Sequence, residues 1–335
     1  MKQFLLGGAA LLALALSQPT AHAQRFEFDY TGKLVTFTVP INGTYQIIAF
    51  GAQGGTEPPF GPGGLGAEIG VSFTLTQGEV LQIAVGGSGS DLSGGGGSFV
   101  VGPNNTPLII AGGGGGGGGE ECEPGPICPI DGDGGLTGPN GSGPIQNGIP
   151  SGGIDGNGGA GSNCSAFSGA GGGGFRTNGG NAVNLSGVGA EGGAAFPTLT
   201  GGGGSFGGGT GGFGGGGGAG AAAGGGGGYS GGGGACRAPG GAGAGGGGGS
   251  FGGGTDQILV AGIWPSNGEV VINLVSPVFA GTVGKPNCHG QSVSALARQF
   301  GGLNGAAEAL GYPSVQALQD GISAFCDGSN QVTLR

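Results

Sequence analysis

Between residues 25 and 111 apolar and polar positions alternate with a period of two, the pattern of half-buried strands. Val35, Phe37 and Val39 alternate with Thr36 and Thr38; after Asn42-Gly43, Tyr45, Ile47 and Ala49 alternate with Gln46 and Ile48. An Asn-Gly dipeptide between such runs predicts a β-hairpin. Ile69, Val71, Phe73 and Leu75 face one way and Glu68, Gly70, Ser72 and Thr74 the other; Gln77-Gly78 then turns the chain into Leu81, Ile83 and Val85. Shorter strands are predicted over 98–101 and 107–111. Alternation with one polar face implies antiparallel sheets on a single core, a sandwich or jelly roll.

The pattern stops at residue 112 and resumes at 257–261. A second turn dipeptide, Asn267-Gly268, follows, and Val270, Ile272 and Leu274 then alternate with Val271 and Asn273. Two strands alone are marginal, so they are expected to rejoin the sheets begun before residue 112. The β-domain then comprises 24–111 and 255–280, with 112–254 as an insertion.

The chain holds 100 glycines in 335 residues, far outside an ordinary globular interior, and they concentrate in 112–254. Glycine-rich chains in isolation are flexible coils, so disorder is one reading of the insertion. The other is a bundle of extended, three-residue-per-turn helices of the polyproline II type. These lack internal hydrogen bonds and can pair side by side only where the contact faces are glycine. Cysteines that tie distant points together, and strands holding both ends, favour the ordered reading. Phe167, Phe175, Phe206, Phe213, Tyr229 and Phe251 are then expected outside the bundle or at its edges.

Several spaced motifs occur in one order. Gly43-Thr44-Tyr45-Gln46-Ile47-Ile48-Ala49-Phe50-Gly51-Ala52-Gln53-Gly54-Gly55 comes first, followed by Gly63-Gly64-Leu65-Gly66-Ala67, Leu75-Thr76-Gln77-Gly78-Glu79-Val80-Leu81 and Val85-Gly86-Gly87. The stretch 94–99 and Leu108-Ile109-Ile110-Ala111 then lead into polyglycine. Over 26–275 this succession resembles the glycine-rich domain of the receptors anaplastic lymphoma kinase and leukocyte tyrosine kinase and its secreted bacterial relatives. The resemblance implies a tumour-necrosis-factor-like jelly roll with an inserted bundle of polyglycine helices. The receptors engage a protein ligand with this region; the present chain has neither their kinase domain nor a membrane-spanning run, so receptor signalling does not carry over. Polyglycine bundles also occur in snow-flea-type antifreeze proteins, but their short regular triplet repeat is absent here.

The first residues read as a secretory signal: Lys2, an uncharged apolar run over 4–16, and Ala21-His22-Ala23 as an A-x-A cleavage site. Residues 1–23 are thus expected to be removed. The apolar run is shorter than the roughly 20 residues that span a bilayer, which weighs against a retained anchor. No later run is long enough to span, no cysteine follows the cleavage site, and the C-terminus lacks a hydrophobic sorting tail. The expectation is a secreted, extracellular or cell-surface protein, with the periplasm as a further location.

Export gives the cysteines a meaning. Cys122, Cys128, Cys164, Cys236, Cys288 and Cys326 are an even set in an oxidising compartment, hence disulfide candidates. Sequence does not choose among the connectivities; the favoured arrangement is Cys122 with Cys128 as a local clip, Cys164 with Cys236 across the glycine segment, and Cys288 with Cys326 in the tail. With His289 as the only histidine after the signal and no C-x-x-C pair, zinc is disfavoured.

The formal net charge is −10, from 8 Lys and Arg against 18 Asp and Glu. The cations are scattered, as Arg25, Lys33, Arg176, Arg237, Lys285, Arg298 and Arg335, so nucleic acid and anionic membranes are poor partners.

Residues 284–335 change period again. Val293, Leu296, Ala297 and Phe300 have helical spacing, as do Val315, Leu318, Ile322 and Phe325. Between them Asn304 is expected to cap a short helix ending near Ala309, with Gly311 as the stop and Pro313-Ser314 opening the last helix. This small helical module is read as a stapled cap or as an anchoring or partner-docking unit.

Catalytic patterns are weak. Cys288-His289 lacks the unpaired thiolate that nucleophilic chemistry needs. Asp131 and Asp133 resemble the start of a calcium loop without its downstream acidic ligand; Glu120, Glu121 and Glu123 read as a solvated acidic turn. Gly-x-Gly-x-x-Gly matches follow from composition alone. Trp264, in an expected loop beside Ile263 and Pro265, is the candidate contact residue, its bland alternative being a sandwich-edge position.

The sequence therefore implies no catalytic residue, metal or cofactor. It points to a non-enzymatic adhesion or binding protein for an extracellular protein or glycan. The alternative is a self-associating structural component of an envelope, matrix or appendage. An enzyme is a distant third.

Overall fold

A computed structural model of the chain describes residues 24–122, 125–145, 151–164, 168–183, 189–238 and 240–328. The expected signal segment, Glu123 and Phe167 lie outside the described residues. The protein is mainly β with antiparallel sheets and, among the described residues, three α-helices, in two compact units, one being Arg25–Val278 and the other built on residues from Phe279 onward.

In chain order the strands are β1 (Arg25–Asp29), β2 (Leu34–Thr38), β3 (Gly43–Phe50), β4 (Gly66–Leu75), β5 (Val80–Ala84), β6 (Ser98–Gly102) and β7 (Thr106–Ala111). They continue with β8 (Gly118–Glu121), β9 (Ile127–Ile130), β10 (Arg237–Ala238), β11 (Gly241–Ala242), β12 (Phe251–Gly252), β13 (Thr255–Trp264) and β14 (Glu269–Pro277). One five-stranded sheet has the order β1-β14-β3-β4-β13; the other runs β12-β7-β6-β5-β2. A small sheet, β10-β11-β8-β9, lies within the glycine-rich stretch. The strands after that stretch rejoin the earlier sheets: Phe251 pairs with Ile110, Leu259 with Ile69, and Ile272 with Ile47.

Alternation decides the core. In β3, Tyr45, Ile47 and Ala49 are fully buried and face Phe73, Val71 and Ile69 of β4 and Leu274, Ile272 and Val270 of β14. This face lies against the second sheet, where β3 and β4 meet β7. The second sheet is apolar on both sides, which is why β6, Ser98-Phe99-Val100-Val101-Gly102, is buried throughout instead of alternating. Its far face carries Phe99, Val101 and Ile110 against Phe175, Phe196, Phe213, Tyr229 and Phe251.

Neither turn dipeptide makes a hairpin. β2 pairs with β5 and β3 with β4 and β14, so Asn42-Gly43 crosses between sheets. Asn42 Oδ1 accepts a hydrogen bond from the Gln77 amide at 2.7 Å, and its carbonyl accepts one from Val278 at 2.7 Å. Gly43 is needed for close approach: a Cβ there would lie 2.7 Å from Leu274 Cδ1 and from the Ser276 carbonyl oxygen. Asn267-Gly268 likewise joins β13 at one edge to β14 deep in the same sheet, and Asn267 Oδ1 accepts from the Ser88 amide at 2.9 Å. Dipeptide identity signals a turn; long-range hydrogen bonds decide which strands it joins.

The glycine-rich stretches have no regular strand or helix over most of their length, yet their amides are bonded to one another. Gly113 and Gly116 donate to Gly227 and Gly224, and Gly114 and Gly117 to Ala52 and Gly55, at 2.8–3.1 Å, so partners advance in steps of three on both sides. Gly115 donates to Asp133, while Gly64, Gly95, Gly245 and Gly248 donate to Gly115, Gly114, Gly116 and Gly113. The 112–117 stretch is therefore enclosed by other extended backbone. Two of its neighbours, 51–67 and 86–97, precede residue 112. The glycine lattice thus begins inside the region read from sequence as strands and loops alone.

In the second unit α1 (Cys288–Gln299), α2 (Leu303–Ala309) and α3 (Val315–Cys326) surround Leu296, Ala306, Leu310, Leu318 and Ile322. Ser314 caps α3, its hydroxyl accepting from the Ala317 amide at 3.1 Å, and Gly311 follows α2 at φ +71° as a left-handed stop. The cap expected at Asn304 is instead Gly302, and Asn304 lies inside α2.

Candidate functional site

Trp264 ends β13 and is not in a loop. Its ring lies 4.1 Å from that of Phe50, and its Nε1 donates to the Asn267 carbonyl at 2.7 Å. The β13–β14 connection thereby closes on itself, which favours the sheet-edge role for this residue over a free contact residue. Beyond Trp264, Gln53 fixes the same connection. Its backbone amide donates to Ser266, its Oε1 accepts from the Ser266 amide at 3.2 Å, and its Nε2 donates to Gly63 at 3.2 Å. The sequence signal for Gln53 was a single long polar side chain within Gly51-Ala52-Gln53-Gly54-Gly55.

β13 is an edge strand, with Leu259 and Ile263 exposed. Its register against β4 shifts twice, near Asp256 (φ +52°) and Gly262 (φ +52°). Such irregularities blunt edge-to-edge pairing. At the second, the Gly262 amide leaves the ladder and donates to Gly135 at 3.0 Å.

There β13 forms one wall of a groove of about 460 Å³, whose floor is the backbone of 62–65 and 131–136. Gly132 and Gly135 donate to Pro62 and Leu65 at 2.9 and 2.8 Å, so the two extended stretches run side by side without intervening side chains. Asp131 and Asp133 line this groove. Asp133 Oδ2 accepts from the Ser142 hydroxyl, while Asp131 is exposed. Glu120 and Glu121 are successive residues of β8 and point to opposite faces. Among the described residues no three His, Cys, Asp or Glu side chains converge on a metal site.

Of the aromatic residues expected outside the glycine bundle or at its edges, Phe175, Phe213, Tyr229 and Phe251 are half-buried where the glycine-rich stretch meets the second sheet, and Phe206 is exposed. Their rings form a row: Phe99 to Phe196 at 6.5 Å, Phe196 to Phe175 at 5.2 Å, Phe175 to Tyr229 at 6.3 Å and Tyr229 to Phe251 at 5.0 Å. Each interplanar angle is below 30°. The row joins the second sheet to the glycine lattice, where apolar area stabilises more than solvent exposure would.

Disulfides join Cys122 to Cys128, Cys164 to Cys236 and Cys288 to Cys326, which is the arrangement preferred above among those the sequence leaves open. The first clips β8 to β9 and the last ties the start of α1 to the end of α3. Cys288 is therefore no thiolate, and His289 instead lines a cleft of about 680 Å³ with Lys285, Ser323 and Asp327. Among the described residues no helix is long and apolar enough to cross a membrane.

Acid–base perturbation is sparse. Burial pushes the Tyr45 phenol up to about 12, against a 2.8 Å hydrogen bond from its hydroxyl to the Ile41 carbonyl. Burial also raises Tyr312. Glu269 is raised by burial and then by Glu27 and Asp29, with Arg25 opposing.

The fold and its surfaces define a disulfide-bonded, mainly β chain built around a backbone-paired glycine lattice. No family model matches the chain, and no curated protein does.

Proposed function

We propose that this chain is a non-enzymatic extracellular or cell-surface binding protein, a jelly roll whose glycine stretches are stacked polyproline II-like helices that hold its grooves and loops rigid. The three-residue step of the hydrogen bonds around Gly113–Gly117 carries this reading. Three residues per turn without internal hydrogen bonds is the polyproline II geometry, and donors left free within one helix are satisfied by its neighbours. The ordered motifs shared with the glycine-rich domain of anaplastic lymphoma kinase and leukocyte tyrosine kinase support kinship with that family. By analogy they support an extracellular protein, or a glycan, as partner. The three disulfides and the absence of a long apolar helix among the described residues are compatible with a life outside the cytoplasm.

Hydrogen exchange tests the architecture. The amides of Gly113 and Gly116 are expected to be protected to the level of the β3 and β4 core, and rapid exchange across 112–117 overturns the stacked helices. Light scattering over a concentration series tests the function: a monomer throughout supports binding of a different partner, and ordered growth supports the structural alternative. Capture of surface partners with and without 284–335 then assigns the helical module to anchoring or to neither role.

A further inference from the structure

We infer that the groove between 62–65, 131–136 and β13 is a vacant position in the glycine lattice, a receptor for an extended Gly-Gly-X segment of another protein in which X is Lys or Arg. The inference rests on reading the glycine stretches as stacked three-residue-per-turn helices.

The amides of 131–136 sort into three directions. Gly132 and Gly135 donate to Pro62 and Leu65; Asp133 and Leu136 donate to Gly245 and Gly248. The third set is Asp131 and Gly134, three residues apart, and neither amide has a hydrogen-bond partner among the described residues. Acceptors repeat the pattern. The Gly135 carbonyl is taken by Gly262 of β13, whereas that of Gly132, one step earlier, receives no donor there. Around 113–116 each amide and each carbonyl is bonded to the backbone of another stretch. Asp131, Gly132 and Gly134, which carry these unbonded donors and the unbonded acceptor, line the groove.

The occupant follows from sterics and charge. A chain seated against two bare backbones needs glycine at both contact positions of each triplet, because a Cβ at comparable contacts lies about 2 Å from a carbonyl oxygen, as at Gly115 against Gly245. Only the third position can point to solvent. The groove's charged lining residues are Asp131 and Asp133, with no Lys or Arg among them, and the chain's formal charge is −10. A cation at X is therefore complementary, and an acidic X is repelled.

The probe is a fluorescein-labelled peptide of repeated Gly-Gly-Lys triplets, about 15 residues long, titrated by anisotropy into the full secreted chain with its disulfides intact. A peptide of Gly-Val-Lys triplets has the same charge. Saturable binding of Gly-Gly-Lys is expected, with at least a tenfold weaker Kd for Gly-Val-Lys and for the variant Ala261→Trp, whose side chain fills the groove from the exposed side of β13. Asp131→Lys, on an exposed side chain, is expected to weaken binding without unfolding the protein. Equal binding of the two peptides, unchanged affinity in both variants, or no saturation overturns the proposal. Protected Gly113 and Gly116 amides in the unliganded chain, with no peptide binding, remove the groove alone; unprotected amides remove the stacked-helix reading as well.

Discussion

A Cβ placed on Gly114 would sit 1.9 Å from the carbonyl oxygen of Gly64, and the two glycines belong to stretches 50 positions apart in sequence. That approach is closer than any side chain tolerates, and it recurs through the lattice: Gly115 against Gly245 at 2.1 Å, Gly113 against Gly95 at 2.4 Å. Backbone packs on backbone, so one methyl group displaces a whole stretch.

Gly114→Ala is therefore expected to destabilise Arg25–Val278 by about 3 kcal/mol or more, at the upper end of overpacking costs. Gly78→Ala, at a turn with open space around it, removes only the left-handed conformation at φ +82° and is expected to cost about 1 kcal/mol. Urea unfolding of the two variants compares them directly; equal effects would mean that the lattice yields.

Tyr45 links the core to pH. Its folded-state pKa is raised to about 12 from 10.0, because burial favours the neutral phenol. A raised pKa contributes stability that is complete below about pH 10 and lost as pH climbs through about 12, on the order of 2–3 kcal/mol. Tyr45→Phe is expected to cost about 1–2 kcal/mol at pH 7, through the unpaired Ile41 carbonyl. It is also expected to flatten the alkaline limb of the stability profile, measured by urea unfolding between pH 8 and about 12.

Asp29 and Glu269 are directly opposite in the pairing of β1 with β14, with Glu27 on the same strand. Two carboxylates face to face destabilise a sheet, and Arg25 reaches Glu269 only at 3.9 Å. Asp29→Asn is expected to stabilise the unit at pH 7 by about 0.5 kcal/mol. Since Glu269 is held above its ordinary pKa, the strain is absent at low pH and appears as pH rises through its folded-state value. The gain should thus fade as pH falls through the raised folded-state value of Glu269 and shrink with added salt.

The Cys288–Cys326 bridge closes 38 residues. Loop-closure entropy assigns it about 4 kcal/mol, more than a three-helix core of this size provides alone. Replacing both cysteines with alanine is expected to abolish helical ellipticity from α1–α3 while the cooperative unfolding of Arg25–Val278 keeps its midpoint. Loss of both together would join the units thermodynamically.

Period-two patterning locates β2–β5 and β14, because a single buried face imposes it; β6, β7 and β13 show in the sequence only as short apolar runs, and β6 is buried throughout. β1 is not singled out by the sequence although Phe26 and Phe28 alternate with Arg25, Glu27 and Asp29; so short a run has little context, and only packing on Phe37 at 4.7 and 5.9 Å reveals it. Helical spacing predicts three helical runs in 284–335, with the end of α2 near Ala309 and the Ser314 start of α3 in place; it sets no start for α1, Phe300 falls just beyond that helix, and α2 is capped by Gly302 instead of Asn304. The pairing of strands was hidden, since Asn42-Gly43 carries the local signature of a hairpin while its bonds run to Gln77 and Val278. The groove was hidden for a related reason. Its polar groups are amides and carbonyls, which every residue possesses, and only their spatial neglect distinguishes Gly134 from Gly135.

The same dependence on backbone has a calorimetric consequence. Apolar surface exposed on unfolding raises heat capacity, whereas peptide groups lower it. A lattice in which glycine amides and carbonyls are withdrawn from water together, with few side chains, should unfold with less than the usual 12–15 cal/mol/K per residue. Its stability curve is then shallow, nearly level between cold and warm.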